Sequence, residues 1–456
     1  MTAAGAPSID YHEALAALSA RGRFGIRLGL GRTWALLAAL GDPHRSLRGA
    51  LVAGTNGKGS VLALAGSALR TAGLRVGETP KPHLVSYRER IVVDGTPISV
   101  ADFTRHVAAV LAAADRIAGR HGEPTEFELL TAVVFRHFAE SELDVALVEV
   151  GLGGRLDATH AWDGGVAVVT NVALDHMDRL GSTIPAIARE KAAIIERGDI
   201  AVTGAVGEAL VVVQRRARRM GAPLTVVGAP PITGWDRDGI EVELPRLGRV
   251  RVGLRGRHQA ANVAVADATL DALETAGIAT VDPAARLRGY ATATWPGRLE
   301  LLSVDGHDVL LDGAHNPAGA AALAEALDDL RPFLADGPLT LVLATMADKD
   351  VGGVIDALGR SASLRGATVI ATTIDAPRAL PADALAARWR ARATVVGLVG
   401  VEAVTEPRSA LAAGLARPGP TVVAGSLYLV GAIRAALVDD PALRDPEEPT
   451  VFHPPP

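Results

Sequence analysis

Short runs of consecutive apolar residues recur along this chain, separated by Ala- and Leu-rich stretches with helical spacing. The clearest runs fall within 144–150, 167–171, 309–312, 339–344, 368–372 and 421–425. A segment apolar on both faces reads as a strand buried on both sides. Repeated strand–loop–helix units imply parallel sheets, with ligand sites at the C-terminal ends of the strands. Residues 240–252 differ, because apolar and polar positions alternate around Pro245 and Gly248. That spacing predicts a small antiparallel ribbon. Helical spacing stops at 293–297 and strands resume. The expected architecture is therefore two α/β domains, 1–294 and 295–456, without an internal repeat. Residues 440–456 are acidic and proline-rich, which predicts a poorly ordered tail.

The apolar run from Leu51 leads into Gly54-Thr-Asn-Gly-Lys-Gly-Ser60, and a helical stretch follows. Glycines there let backbone N–H groups approach a polyphosphate closely, the helix N-terminus supplies partial positive charge, and Lys58 reaches the outer phosphates. The usual P-loop pattern fails at Val52, where its first glycine would fall, and at Gly59, where Ser or Thr would follow the lysine. This is a variant phosphate loop, which makes the first domain a P-loop-type parallel-sheet ATPase and the second a smaller Rossmann-like domain.

Composition narrows the class. A chain of 456 residues exceeds one ordinary hydrophobic core. With 49% hydrophobic and 21% charged residues it suits a soluble globular protein. The net charge of −5 gives no reason to expect nucleic acid or an anionic membrane as a partner. The cluster Arg215, Arg216, Arg218 and Arg219 reads as the solvated face of a helix. Cysteine is absent, which excludes disulfides, thiolate metal sites and cysteine nucleophiles. No apolar run approaches the ~18 residues of a membrane helix, and residues 1–11 lack the features of a signal peptide. The expected location is the cytoplasm.

Further chemistry sits at strand ends. Glu149 precedes Gly151-Leu-Gly-Gly154 and then Asp157, and a carboxylate there is suited to Mg²⁺ beside phosphates, or to capping a tight turn. Asp175 and His176 follow another strand, where a histidine serves either structure or a metal. Lys191 shares a helical face with Ile187, Ile194 and Ile195. Either it snorkels to solvent, or burial lowers its pKa and exposes a nucleophilic amine able to take up CO₂ as a carbamate. Asp312 and His315 project from a loop that ends at Pro317, at a helix start. Arg298 lies near the boundary between domains, where a cation could reach phosphate; taken singly, a cap for Asp312, a surface hydrogen bond for His315 and a solvated charge for Arg298 are the stronger readings. His258, Gln259 and Asn262 offer groups suited to a purine base or to a helix N-terminus.

Taken together these motifs resemble the folylpolyglutamate synthase/dihydrofolate synthase branch of the Mur ligases. Its marks run in order through Gly54–Ser60, Pro82-His-Leu84, Glu89-Arg-Ile91, Glu149 to Thr159, Asp175-His176, Glu190-Lys191, His258-Gln259 with Asn262, Pro296-Gly-Arg298, Asp312 to Pro317, Asp348-Lys-Asp350 and Gly425-Ser-Leu-Tyr428. The resemblance implies ATP-dependent addition of L-glutamate to a folate, or to dihydropteroate, through an acyl phosphate. It implies that Gly54, Thr55, Asn56, Gly57, Lys58, Gly59 and Ser60 hold the ATP phosphates, and that Asn262, Arg298 and Asp312 contact the nucleotide. Ser60, Glu149, His176 and an N-carboxylated Lys191 would serve Mg²⁺. Thr125, Phe127 and Asp157 would meet the pterin, and His315 and Ser426 the glutamate. The resemblance also implies a monomer whose site lies between the domains and is gated by closure.

Two departures stand out. The family's Thr-Ser-Pro-His-Leu is Thr79-Pro-Lys-Pro-His-Leu84 here, so Lys81 replaces a serine that contacts Mg²⁺ in relatives; Thr79 and Ser86 are the hydroxyls placed to substitute. The family's Thr-Phe-Phe-Glu is Thr125-Glu-Phe-Glu128, with one aromatic lost and Glu126 gained. Two other readings follow from the residues: an amide ligase of the Mur type acting on a different carboxylate, and a nucleotide-binding switch without turnover.

Overall fold

The computed structural model describes residues 9–22 and 27–446. Contacts divide the chain into two compact units, the first formed by Met1–Gly228, Val265–Arg286 and Pro441–Pro456, the second by Ala229–Ala264 and Leu287–Asp440. The chain thus crosses between units at four points rather than once at 294/295. Packing explains this. The segment after Gly228 forms a small sheet tied to later residues of its own unit, through Gly253 N–H to Tyr290 O (2.9 Å) and Arg237 to Asp308 (3.0 Å). Val265 instead lies against Gly204 of the first unit, and Arg286 pairs there with Asp267 at 3.0 Å.

The first unit holds an eight-stranded sheet. Its strands are β1 (Gly49–Ala53), β2 (Val76–Thr79), β3 (Val92–Val93), β4 (Thr96–Pro97), β5 (Val145–Glu149), β6 (Gly165–Val169), β7 (Ile200–Thr203) and β8 (Leu224–Val226), in the order β4-β3-β2-β5-β1-β6-β7-β8. All neighbours pair parallel except β2 with β3 and β3 with β4. The expected strands at 144–150 and 167–171 are β5 and β6. Every residue of β1 and β5 is buried, as their unbroken apolar runs require.

The second unit has two sheets. The expected ribbon is present as β10 (Gly239–Leu244) and β11 (Gly248–Val252), with β9 (Ile232–Asp236) added at its side in the order β11-β10-β9. The larger sheet contains β12 (Glu300–Val304), β13 (His307–Leu311), β14 (Thr340–Leu343), β15 (Thr368–Ala371), β16 (Gly400–Ala403) and β17 (Thr421–Ala424), ordered β12-β13-β17-β14-β15-β16. Only β12 runs antiparallel to its neighbour. The four strands foreseen here are β13, β14, β15 and β17.

The helix Gly207–Met220 buries Ala209, Val213 and Ala217 and exposes Arg215, Arg218 and Arg219. Arg216 turns back to the carbonyls of Ile195 (2.9 Å) and Ala193 (3.0 Å), so one member of the cluster caps the end of the helix Ile184–Ala192 while the others meet solvent. The expectation of a poorly ordered tail needs correction for its first residues. The buried Arg88 donates to the carbonyls of Ala442 (2.6 Å) and Arg444 (2.9 Å) and pairs with Asp445 at 3.1 Å, which anchors 442–445. The rest of that tail lies outside the described residues.

Candidate active site

The phosphate loop joins β1 to the helix Lys58–Thr71. The loop is held from one side by the segment after β6. Thr170 Oγ1 donates to Asn56 O (2.7 Å), Asn171 Oδ1 accepts from Asn56 N–H (2.9 Å), and Thr55 Oγ1 bonds Ala173 O (3.2 Å). Neither Thr170 nor Asn171 was singled out from sequence. Their signal was position alone, at the end of a strand ahead of Asp175-His176. Lys58 Nζ donates to Gly54 O (3.1 Å) and Thr55 O (3.2 Å) and stands 3.8 Å from Glu149 Oε1.

Lys191 resolves in favour of burial. It is 5% exposed on the helix Ile184–Ala192 and donates to Gly54 O at 2.8 Å. Burial, reinforced by the neighbouring Lys58 charge, lowers its pKa to about 7. A large share of this amine is therefore unprotonated at neutral pH. The second glycine-rich turn packs on the same helix. A Cβ at Gly154 would lie 2.8 Å from Glu190 O and 3.0 Å from Lys191 O, and Arg155 N–H donates to Glu190 O at 2.9 Å. Gly154 is what permits this backbone approach.

Glu149 ends β5 and is buried. Its Oε2 accepts from Lys81 N–H at 3.0 Å, while Lys81 Nζ donates to the Glu149 backbone carbonyl. Lys81 Nζ also lies 4.9 Å from the centre of the Phe127 ring, a cation–π placement. His176 takes left-handed backbone (φ 48°) before the helix Met177–Leu180 and is substantially exposed. Left-handed non-glycine backbone costs of order 1–3 kcal/mol and gathers at functional sites. Asp175 Oδ2 is 3.8 Å from His176 Nε2.

Among the described residues, no three His, Cys, Asp or Glu side chains converge as a metal cage. The oxygens of Glu149 and Ser60 beside the phosphate loop still fit Mg²⁺, which favours hard oxygen ligands and draws most of its shell from phosphates and water. Ser86 is committed elsewhere, with its Oγ donating to Asp445 (2.8 Å) and accepting from Arg88 N–H. Thr79 Oγ1 is buried and has no hydrogen-bond partner among the described residues.

The residues expected to meet a pterin divide by role. Asp157 accepts from Leu152 N–H (2.7 Å), Thr159 N–H (3.0 Å) and Thr159 Oγ1 (2.6 Å), so its carboxylate fastens the glycine-rich turn. Thr125 caps the helix Glu126–Glu140 in a reciprocal pair with Glu128. Phe127 faces a recess that it shares with Lys81, Arg90, Ile91, Thr131 and Val134. The added acid Glu126 neither faces solvent alone nor enters that recess: it accepts from Tyr87 Oη at 2.8 Å. Arg90 Nε donates to His83 Nδ1 (2.8 Å), and burial together with that guanidinium lowers the His83 pKa to about 3. His83 is thus held neutral.

In the second unit, Asp312 follows β13 and accepts from Leu299 N–H and Ala314 N–H, each at 2.9 Å. Its pKa is raised by burial, against the pull of Arg298. Leu299, beside Arg298, is left-handed (φ 47°) with its side chain buried, so the Asp312 bond holds a strained residue that aims the arginine. A Cβ on Gly313 would lie 2.0 Å from Arg298 Nη1, which shows how closely the guanidinium covers that turn. His315 Nδ1 lies 2.8 Å from Gly313 O. A carbonyl only accepts, so Nδ1 carries the proton and Nε2 is the basic nitrogen. Ser426 is buried and caps the helix Leu427–Leu437, beside Gly425, whose N–H donates to Ala314 O at 2.9 Å. Asn262 is buried and donates to Gln259 Oε1 at 2.9 Å, while burial lowers the His258 pKa to about 4.

Comparison with known proteins decides the family. The Mur ligase middle domain matches residues 52–270, and the Mur ligase glutamate ligase domain matches 297–427. The folylpolyglutamate synthase of Lacticaseibacillus casei is 36% identical over 425 residues, covering 89% of this chain and 94% of that protein. This chain belongs to the folylpolyglutamate synthase/dihydrofolate synthase family of the Mur ligases. The dihydrofolate synthase/folylpolyglutamate synthase of Bacillus subtilis is 36% identical over 358 residues, 76% of this chain and 82% of that protein. The Mycobacterium tuberculosis folylpolyglutamate synthase solved with ADP and AMPPCP superimposes with a TM-score of 0.82 at 33% identity, covering 95% of this chain and 100% of that one. Among the described residues, no helix is long and apolar enough to cross a membrane.

Proposed function

We propose that this protein is an ATP-dependent ligase that adds L-glutamate to a folate or to dihydropteroate. The observation that carries the reading is the convergence of Lys58 and Lys191 on the carbonyl of Gly54, beside Glu149, in a chain whose second unit matches the glutamate ligase domain. A carboxylate is a poor electrophile, so the acceptor's carboxylate oxygen attacks the γ-phosphorus of ATP, releasing ADP and leaving an acyl phosphate. The amine of glutamate attacks that carbonyl, phosphate departs, and the amine loses a proton. The basic Nε2 of His315 is placed by its Nδ1–H bond to take part in handling that proton. Lys58 and the loop amides from Gly54 to Ser60 gather the phosphates, and Arg298 adds a second cation. Asn262 contacts the nucleotide base, Ser426 the glutamate, and Phe127 the flat ring of the acceptor.

Bound Mg²⁺, held by Ser60, Glu149 and His176, would neutralise phosphate charge. Lys191 carries its amine in a form that can add CO₂, giving a carbamate and one released proton. Its buried setting beside Lys58 supports that modification. The enzyme works on small molecules as a cytoplasmic monomer. Phosphate release from Mg-ATP with L-glutamate, comparing dihydropteroate, tetrahydrofolate and no acceptor, tests the reading. Release that requires both glutamate and a pterin acid supports it. ATP turnover that ignores pterins refutes it and points to the ligase reading with a different carboxylate.

A further inference from the structure

We propose that Lys81 is a built-in cation of the phosphate site, so that the ATP complex of this chain takes up one divalent ion fewer than the same complex with a neutral residue at position 81. The inference rests on the ligase reading above. Residue 81 grips Glu149 from both ends: its N–H donates to Oε2 at 3.0 Å and its ammonium donates to the Glu149 carbonyl. On the other side, Lys58 Nζ stands 3.8 Å from Oε1. The carboxylate that ends β5 therefore already faces a fixed positive charge on one oxygen and a backbone donor on the other. The Lys81 ammonium is not a snorkelling surface group. It is held by the carbonyl and by the face of Phe127 at 4.9 Å; burial lowers its pKa to about 8, against the pull of the Asp157 and Glu149 charges. Burial of an ammonium is costly unless partners and counter-charge compensate it, and these contacts supply both.

Such a charge repels a second divalent ion that approaches position 81 itself, and attracts phosphate oxygens instead. An ammonium offers donors only, so it adds no ligand for a metal. The other hydroxyls of the segment do not take over the position: Ser86 is bound to Asp445, and Thr79 Oγ1 is buried at the recess shared with Phe127. One ion, bound by phosphate oxygens with Ser60 and Glu149, remains compatible with this arrangement.

Counting Mn²⁺ by the electron paramagnetic resonance signal of the free ion, in full-length protein saturated with AMPPCP, tests the proposal. The wild type is expected to bind one Mn²⁺ per nucleotide and Lys81→Ser two, with AMPPCP affinity measured by calorimetry on the same samples. If Lys81→Ser does not fold, Lys81→Gln serves, since it also removes the charge and offers a carbonyl oxygen. Two ions in the wild type, or one in the neutral variant that still binds AMPPCP, overturns the proposal alone. Failure of the wild type to bind AMPPCP overturns the ligase reading, and this inference with it.

Discussion

Replacing Gly54 with alanine should uncouple the phosphate loop from both Lys58 and Lys191. A Cβ built there lies 1.8 Å from Thr170 Oγ1, 3.1 Å from Thr170 Cβ and 3.4 Å from Asn171 N. The hydroxyl cannot simply swing aside, because it donates to Asn56 O at 2.7 Å, and Thr170 N–H is fixed to Ala53 O at 2.9 Å. Rotating Thr170 forfeits a hydrogen bond worth about 0.5–1.5 kcal/mol, and residual overpacking costs about 1–3 kcal/mol. If the loop absorbs the strain, nucleotide binding weakens by roughly 2–4 kcal/mol, or about 30-fold to several hundred-fold. Gly54 O also accepts from Lys58 and Lys191, so turnover should fall further than affinity. Calorimetry with ADP and thermal melting of the free protein separate the effects. The double variant Gly54→Ala, Thr170→Ala should recover part of the loss, because the two sites share one contact. ADP affinity for Gly54→Ala within about threefold of wild type would refute the reasoning.

Other outcomes follow from the same geometry. Lys58→Ala should lose turnover and weaken ADP binding by about 10- to 100-fold, the worth of a charge-assisted bond, with the melting temperature unchanged; retained activity in a phosphate-release assay would dismiss the loop's role. Lys191→Ala should be inactive and partly restored by short carboxylates. Because the Lys191 pKa is lowered to about 7, reactivation of decarbamylated enzyme by CO₂ should rise as pH climbs through 7, and a rate flat from pH 6 to 8 would count against the carbamate. Gly313→Ala should displace Arg298 and raise the KM for ATP while leaving the first unit's ADP contacts intact, a split read by steady-state kinetics. Asp199 has its pKa raised by burial and by Asp163, so the folded state holds a proton that the unfolded chain has lost. Stability from this group is present below the unfolded pKa near 4 and disappears as pH rises through the folded value. Asp199→Asn should therefore flatten the fall in melting temperature between about pH 4 and about 8, and an unchanged pH profile would exclude the retained proton.

The strands that sequence identified are those buried on both faces: β1, β5, β6, β13, β14, β15 and β17 are apolar runs because both sides pack. The ribbon of β10 and β11 was equally legible, since one solvated face leaves a period of two. The phosphate loop, Glu149 and Asp312 could be picked out because glycines and carboxylates end or follow apolar strands, and Lys191 because an ammonium on an apolar helix face is unusual. Partnership was not legible. Nothing local shows that Thr170 secures Asn56 or that Lys81 holds the carbonyl of Glu149. Those outcomes depend on residues tens of positions apart meeting at one sheet edge. The division into units was hidden for the same reason. Helical period stops near 293, yet the segments 229–264 and 265–286 are assigned by which apolar faces cover them. Sequence determined which residues are candidates for the chemistry; only tertiary packing decided which of them have polar atoms uncommitted to turns and caps, because hydrogen-bond partners and burial are properties of neighbours in space.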